Sequence, residues 1–321
     1  MTNGGPGEDP TLAEIGEFAV IDRINRDRSQ PPLVQVGPGD DAAVLGTPDG
    51  RVVVSTDMLV QDRHFRLDWS APHDIGRKAV AQNAADIEAM GAAVTAFVVA
   101  FGAPADTPLR LVTELSDGLW AEATRLGAGI IGGDMVASPQ WVVSVTVFGD
   151  LQGRAPVRRG GARVGDAVAV AGSLGASAAG LALLLAGRED HPELRRGHLV
   201  PEPPYGQGRV AAAAGATAMT DVSDGLLADL THIAQASGVG IDLSSAALRA
   251  DRDALGAAAR QVGRDPWEWV LGGGEDHSLA GCFPGPVPAG WRVIGHVVDG
   301  AAVVLLDGAE PTGHAGWESF G

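Results

Sequence analysis

Short apolar β-type runs alternate with helix-length amphipathic segments on both sides of one Gly- and Arg-rich stretch, residues 149–165, and nothing else in the chain restricts its fold as much. In the first half, Leu12, Ile15, Phe18, Ala19, Ile21 and Ile24 recur at helical spacing, and Pro31 and Pro32 stop the helix they predict. A β run at 52–56 follows, then a helix over 75–90 with Asp74 as its N-cap and Gly91 closing it. Further strands are predicted at 95–101 and 141–148, with a helix over 109–126 between them. The second half restarts with a strand at 167–171 and a helix at 174–186, and a further helix runs from Leu226 to about Ser237. Such alternation makes each half an α/β or α+β unit. The 321 residues suffice for about two domains, which we set at 11–150 and 151–321 behind a loose tail of residues 1–10.

Charge and rare residues then narrow the chemistry. With 40 acidic against 23 basic residues, net −17, the surface repels nucleic acid and anionic lipid. No apolar run reaches the ~18 residues that span a bilayer, and residues 1–10 lack the basic and apolar regions of a secretory signal. One cysteine, Cys282, allows no intrachain disulfide, so a cytoplasmic location is expected. Lys78 is the one lysine and stands between Arg77 and Ala79, which excludes a Walker A loop.

Four acidic clusters stand out against this background. Gly39-Asp40-Asp41, taken alone, reads as a solvated Asx turn. Ser55-Thr56-Asp57 ends an apolar β run; Asp suits a strand interior poorly, so either the strand stops there or the carboxylate lines a site. Asp86 shares a helical face with Asn83 and Met90, among Ala84, Ala85 and Ala89, where a carboxylate is costly unless paired or metal-bound. Asp221-Val222-Ser223-Asp224-Gly225 precedes a helix. One of its polar residues would suffice as a cap, and two carboxylates around a hydroxyl point to Mg²⁺ or phosphate.

Two glycine-rich segments, Gly132-Gly133-Asp134 and Gly272-Gly273-Gly274-Glu275-Asp276, read as turns that let backbone N–H groups approach a phosphate. A net −17 chain with one lysine cannot hold polyphosphates by point charges. It has to offer carboxylates to Mg²⁺, with backbone N–H groups and a few arginines assisting. Arg158 and Arg159 are the natural candidates for the anionic ligand.

Together these motifs resemble the thiamine-monophosphate kinase family, of the ATP-binding superfamily that includes aminoimidazole ribonucleotide synthetase and selenophosphate synthetase. The resemblance runs from Phe18 to Phe320, in the family's order. It rests on Gly39-Asp40-Asp41, Ser55-Thr56-Asp57 with His64 seven residues on, the segment from Lys78 through Asp86 to Gly91, Ile131-Gly132-Gly133-Asp134, Arg159, Asp221 to Gly225, Gly273 to Asp276, and Gly316-Trp317.

The resemblance implies ATP-dependent phosphorylation of thiamine monophosphate to the diphosphate by direct in-line transfer. It implies a two-domain aminoimidazole ribonucleotide synthetase-like fold: an N-terminal α+β domain whose four-stranded sheet pairs with its twin in a homodimer, and a C-terminal α/β domain, with ATP between them. It also implies that Asp41, Ser55, Thr56, Asp57, Asp86, Asp134, Asp221 and Asp224 bind several Mg²⁺ ions. Gly133, Asp134, Arg159 and Ser223 would meet ATP, and His64, Glu275 and Trp317 would hold the thiamine phosphate. For the dimer, the residues expected to be covered are 52–54 and 142–147. A purine-pathway synthetase of the same superfamily and a non-catalytic nucleotide-binding dimer are the alternatives. No general base is evident, and none is needed for a phosphomonoester whose second pKa is about 6.

Overall fold

The computed structural model describes residues 9–38 and 42–311. By packing, the chain separates into two units, one comprising 1–47, 54–83 and 94–148, the other 48–53, 84–93 and 149–321.

The first unit begins with α1 (Leu12–Ile15) and α2 (Glu17–Asn25), and Thr11 with Glu14 forms a capping box at the start of α1. A two-stranded antiparallel ribbon follows, β1 (Val34–Val36) with β2 (Val44–Leu45). Next come β3 (Val53–Val60), α3 (Pro72–Ala89), β4 (Ala93–Ala103), α4 (Leu109–Arg125), β5 (Gly129–Ala137) and β6 (Val142–Asp150). Strands β3, β6, β4 and β5 form the four-stranded sheet in that order, with α4 as the crossover between parallel β4 and β5. Leu109, Val112, Leu115, Leu119 and Ala123 make the buried stripe of α4. Helices α3 and α4 meet backbone to backbone: a Cβ on Gly118 would stand 1.9 Å from the His73 carbonyl, and one on Gly76 2.2 Å from that of Leu115.

Three local expectations are corrected. Helix α3 starts at Pro72, three residues before the predicted start. Proline's fixed φ suits a first turn, and this makes Asp74 a first-turn acid rather than the cap. Strand β3 does not stop at Thr56 but carries Asp57 on to Val60. Gly132-Gly133-Asp134 is no turn: it lies within β5, paired with Val98, Val99 and Ala100 of β4 past a register shift. The glycine serves close approach there, since a Cβ on Gly133 would stand 2.0 Å from the Val99 carbonyl.

On one face of this sheet Val54, Met58 and Val136 stay more than half exposed. Val143, Val145 and Val147, which the sequence reading put on a face awaiting a twin, are instead buried in the unit's own core. Strict alternation along β6 decides this, because only every second residue can face out.

The second unit contains β7 (Ala167–Ala171), α5 (Ala176–Leu185), α6 (Pro192–Leu199), α7 (Gln207–Ala213), β8 (Ala218–Val222), α8 (Leu226–Ser237), β9 (Gly240–Leu243), α9 (Arg249–Val262), α10 (Pro266–Gly272), β10 (Ser278–Phe283), β11 (Arg292–Val298) and β12 (Val304–Leu306). Its six-stranded sheet runs β12-β9-β11-β7-β10-β8, antiparallel at every pair except β12 with β9. Both faces are covered. Val168, Val170 and Cys282 point into a core with Leu183, Leu226 and Leu230, while Ala169, Met219 and Phe283 pack with Ala211 and Trp291 on the other side. Every residue of β8 and β10 is therefore buried, Asp221 included.

Glu88 also belongs to this unit. It is buried and accepts from Gly206 N and Gly208 N, at 2.8 and 2.9 Å, at the start of α7. Burial raises its pKa although the two N–H donors oppose the shift. Among the described residues no helix is long and apolar enough to cross a membrane.

Candidate functional site

In the first unit the candidate residues lie on β3, on the turn after it and on β5. Alternation turns Ser55 and Asp57 to one face and Thr56 to the other, where its hydroxyl donates to the Val145 carbonyl at 3.0 Å. The Asp57 N–H donates to Oδ1 of Asn83, whose own amide donates to Ala79 O, so helix α3 fixes this part of the edge strand. His64 sits in the turn at 61–65. Its Nδ1 accepts from Val60 N at 3.0 Å, which puts the proton of a neutral ring on Nε2. The buried ammonium of Lys78 donates to the His64 carbonyl at 2.9 Å and holds the turn from behind.

Gly133 and Asp134 are exposed in the middle of β5, and Asp134 Oδ1 accepts from Met135 N. Beside them opens a cavity of about 720 Å³. Apolar side chains of α2 and α4, such as Ile24, Leu119 and Trp120, line it together with the backbone of Gly132 and Gly133. Asp41 lies outside the described residues, as does Trp317.

In the second unit the candidate residues cluster in the segment 221–229. The cap of α8 is Gly225, and no side chain of Ser223 or Asp224 satisfies its first N–H groups. Asp229, one turn into the helix, reaches back and accepts from the N–H groups of Asp224 and Gly225, which precede the helix, at 3.0 and 3.1 Å. Neither the hydroxyl of Ser223 nor the carboxylate of Asp224 caps the helix.

The segment is crowded. Burial first and the Asp221 charge second raise the Asp224 pKa, and burial with the charges of Asp221 and Asp224 pushes Asp229 up to about 7. Nearby cations counter this for Asp224, Arg159 among them. Arg158 lines a hollow of about 350 Å³ with Arg154 and Arg163. Of the two arginines, Arg159 is the one whose charge reaches Asp224.

The second glycine-rich segment is stitched to this one. Glu275 N donates to Ser223 O at 2.7 Å, His277 N to Val222 O at 2.9 Å, and His277 Nδ1 stands 3.2 Å from Asp221 Oδ2. Asp276 is buried and accepts from Gly175 N and Ser177 N at the start of α5. The loop's special dihedrals fall on Glu275 and His277, at φ 63° and 51°, and on none of its glycines. Asp221 at the end of β8 and Ser223, Asp224 and Glu275 in the two adjoining loops are thus gathered together. Asp86 lies on α3, half-buried, one turn beyond Asn83.

Sequence reasoning missed Asp229, His232 and His198. Ligand atoms of Asp224, Asp229 and His232 lie within 4.8 Å of one another. The three-residue spacing of Asp229 and His232 on a predicted helix was the available signal. His198 left no such signal, because its partners come from α5 and from the loop before β10.

A mixed α/β chain in two units, with carboxylates gathered at strand ends and helix starts, is the class described as AIR synthase related proteins. The N-terminal domain of that family matches residues 39–151, and its C-terminal domain matches 163–269. The chain is 69% identical over 314 residues to thiamine-monophosphate kinase of Mycobacterium tuberculosis, covering 98% of this chain and 94% of the relative. Among solved structures, thiamine-monophosphate kinase from Stenotrophomonas maltophilia K279a is 32% identical with a TM-score of 0.78, over 92% of this chain and 98% of that one. AaThiL complexed with AMPPCP and TMP is 31% identical with a TM-score of 0.77, over 96% and 98%. The chain belongs to the thiamine-monophosphate kinase family.

Proposed function

We propose that the protein transfers the γ-phosphoryl group of ATP directly to the phosphate of thiamine monophosphate. An oxygen of the phosphomonoester forms the new P–O bond, the bond from the γ-phosphorus to the β–γ bridging oxygen breaks, and ADP leaves with thiamine diphosphate as the product. The observation that carries the phosphoryl-transfer reading is the segment 221–229, where neither Ser223 nor Asp224 caps the helix and the Asp221 charge, with burial, raises the proton affinity of Asp224 and Asp229. The substrates come from the relatives, one of which was solved with AMPPCP, an ATP analogue, and TMP.

The donor set fits Mg²⁺, since hard carboxylate and hydroxyl oxygens that repel one another when ionised are relieved by a hard divalent cation. In the second unit Asp86, Asp221 and Asp224 would hold the metal. In the first unit Ser55, Asp57, Asp134 and Asp41 would, with Thr56 offering only its main chain. Bound Mg²⁺ would supply charge neutralisation between the two phosphate groups.

The chain's own groups do the rest. Gly133 brings its backbone close to the nucleotide, and the apolar cavity beside it suits a planar base. Arg159 and Ser223 address the ATP phosphates. His64 offers Nε2–H to the thiamine phosphate, its ring oriented by Val60 N–H and its turn by Lys78. Glu275 and Trp317 complete that site. The attacking oxygen is already ionised at pH 7, because a phosphomonoester has a second pKa of about 6, so no side chain has to remove a proton. We further propose that the enzyme acts as a homodimer in the cytoplasm, with domains at 11–150 and 151–321.

Product analysis with ATP and Mg²⁺ tests the assignment. Thiamine phosphate should be converted to the diphosphate and free thiamine left untouched. Turnover of free thiamine, or of aminoimidazole precursors instead, would remove it.

A further inference from the structure

Glu275 occupies the left-handed backbone region, which a residue with a side chain adopts only when its surroundings insist. Its N–H is tied to the Ser223 carbonyl, and its neighbour Asp276 is anchored on the N–H groups of Gly175 and Ser177. The main chain is held from both sides, but these bonds leave the direction of the carboxylate undetermined.

His198, in the last turn of α6, meets that carboxylate. Its Nδ1 lies 3.4 Å from Glu275 Oε2 and 3.1 Å from Ser177 Oγ. The imidazole is 8% exposed and the carboxylate 33%, so a buried ring backs a carboxylate that opens to solvent. Serine and carboxylate share one ring nitrogen. A nucleophilic relay needs them on opposite nitrogens, so this is not one. A nitrogen lone pair aimed at an ionised carboxylate would be repelled; Nδ1 therefore carries a proton and His198 is the donor.

We infer that His198 is a positioning residue that sets the rotamer of Glu275 before thiamine phosphate arrives. The inference rests on the reading of Glu275 as a contact to that substrate. An untethered glutamate has to lose rotamer freedom on binding, and a buried donor behind it removes that cost in advance. The effect belongs to the affinity for one substrate only, because the carboxylate that His198 meets is the one read as a contact to thiamine phosphate.

A double-mutant cycle tests this. H198F keeps the bulk and loses the donor: KM for thiamine phosphate should rise about tenfold, while KM for ATP moves less than twofold. H198N restores an N–H near the Nδ1 position and should recover most of the loss. On an E275Q background, H198F should add less than twofold, because no carboxylate remains to orient. Equal rises in both KM values, or a full tenfold further loss on E275Q, would make His198 merely structural and overturn the inference. Should H198F fail to fold, H198N against H198A decides, and parity between them overturns it. If E275Q itself leaves KM unchanged, the reading of Glu275 falls and the inference with it. If E275Q raises KM and H198F does not, the inference alone falls.

Discussion

Asp276 shows how one carboxylate can be fully committed and still electrostatically uncomfortable. Two backbone N–H groups donate to it, which favours its ionised form, yet burial outweighs them and pushes its pKa up to about 7. In the unfolded chain an aspartate titrates near 3.9. Below about pH 4 both states hold the proton and the residue contributes no pH dependence. Between about 4 and 7 the unfolded chain has lost its proton while the folded one keeps it, so stability falls as pH rises, by up to ~1.4 kcal/mol per pH unit, and is flat above. Urea midpoints of metal-free protein should therefore drop across this window, and D276N should remove part of the slope. Its amide can still accept from one N–H but sets an NH₂ against the other, so D276N should also be less stable at pH 4.5. An unchanged slope in D276N would mean that Asp276 is ionised throughout.

At the scale of single elements, β5 separates two glycines that look alike in sequence. A Cβ on Gly132 meets nothing within 4 Å, whereas one on Gly133 would stand 2.0 Å from the Val99 carbonyl of the paired strand. G133A should cost ~1–3 kcal/mol, the range for forced overpacking, and lower the melting temperature by several degrees; G132A should melt close to the parent. Equal melting of the two would refute the close-approach account. These glycines also mark how far the sequence could be read. The motif itself was visible, but its pattern suggested a turn, because a strand-to-strand approach depends on a partner 34 residues earlier in the chain. Asp221 to Gly225 and Glu275 were equally visible as motifs. That Glu275 is tied to Ser223 and backed by His198 was not, since those contacts join residues 52 and 77 positions apart. The helix around His198 lies among four prolines between 187 and 208, and Pro192 opens it instead of breaking it.

For the whole molecule, the alternation of strands and helices was enough to give two mixed α/β units and, with the acidic motifs, the family. The sheet order and the antiparallel pairing of the second unit were beyond it, because local patterning does not choose a strand's neighbour. The four-stranded sheet leaves Val54 and Met58 on one edge strand and Val136 on the other at 57%, 52% and 59% exposure, apolar side chains open to solvent. If a second copy covers them, light scattering at micromolar concentration should give twice the chain mass of 32.7 kDa, and V54D with M58D should halve the value while leaving each unit folded by circular dichroism. A parent protein that scatters as a monomer would dispose of the homodimer. One feature of the first unit also makes the chain easy to interrogate. Lys78, the lone lysine, is 1% exposed and pinned to the turn at 61–65. An amine-reactive reagent has a single lysine side chain to modify, and it gains access only when α3 parts from that turn. Mass increase at Lys78 against time then clocks the opening of the region that carries His64, and ligands that clamp it should slow the clock.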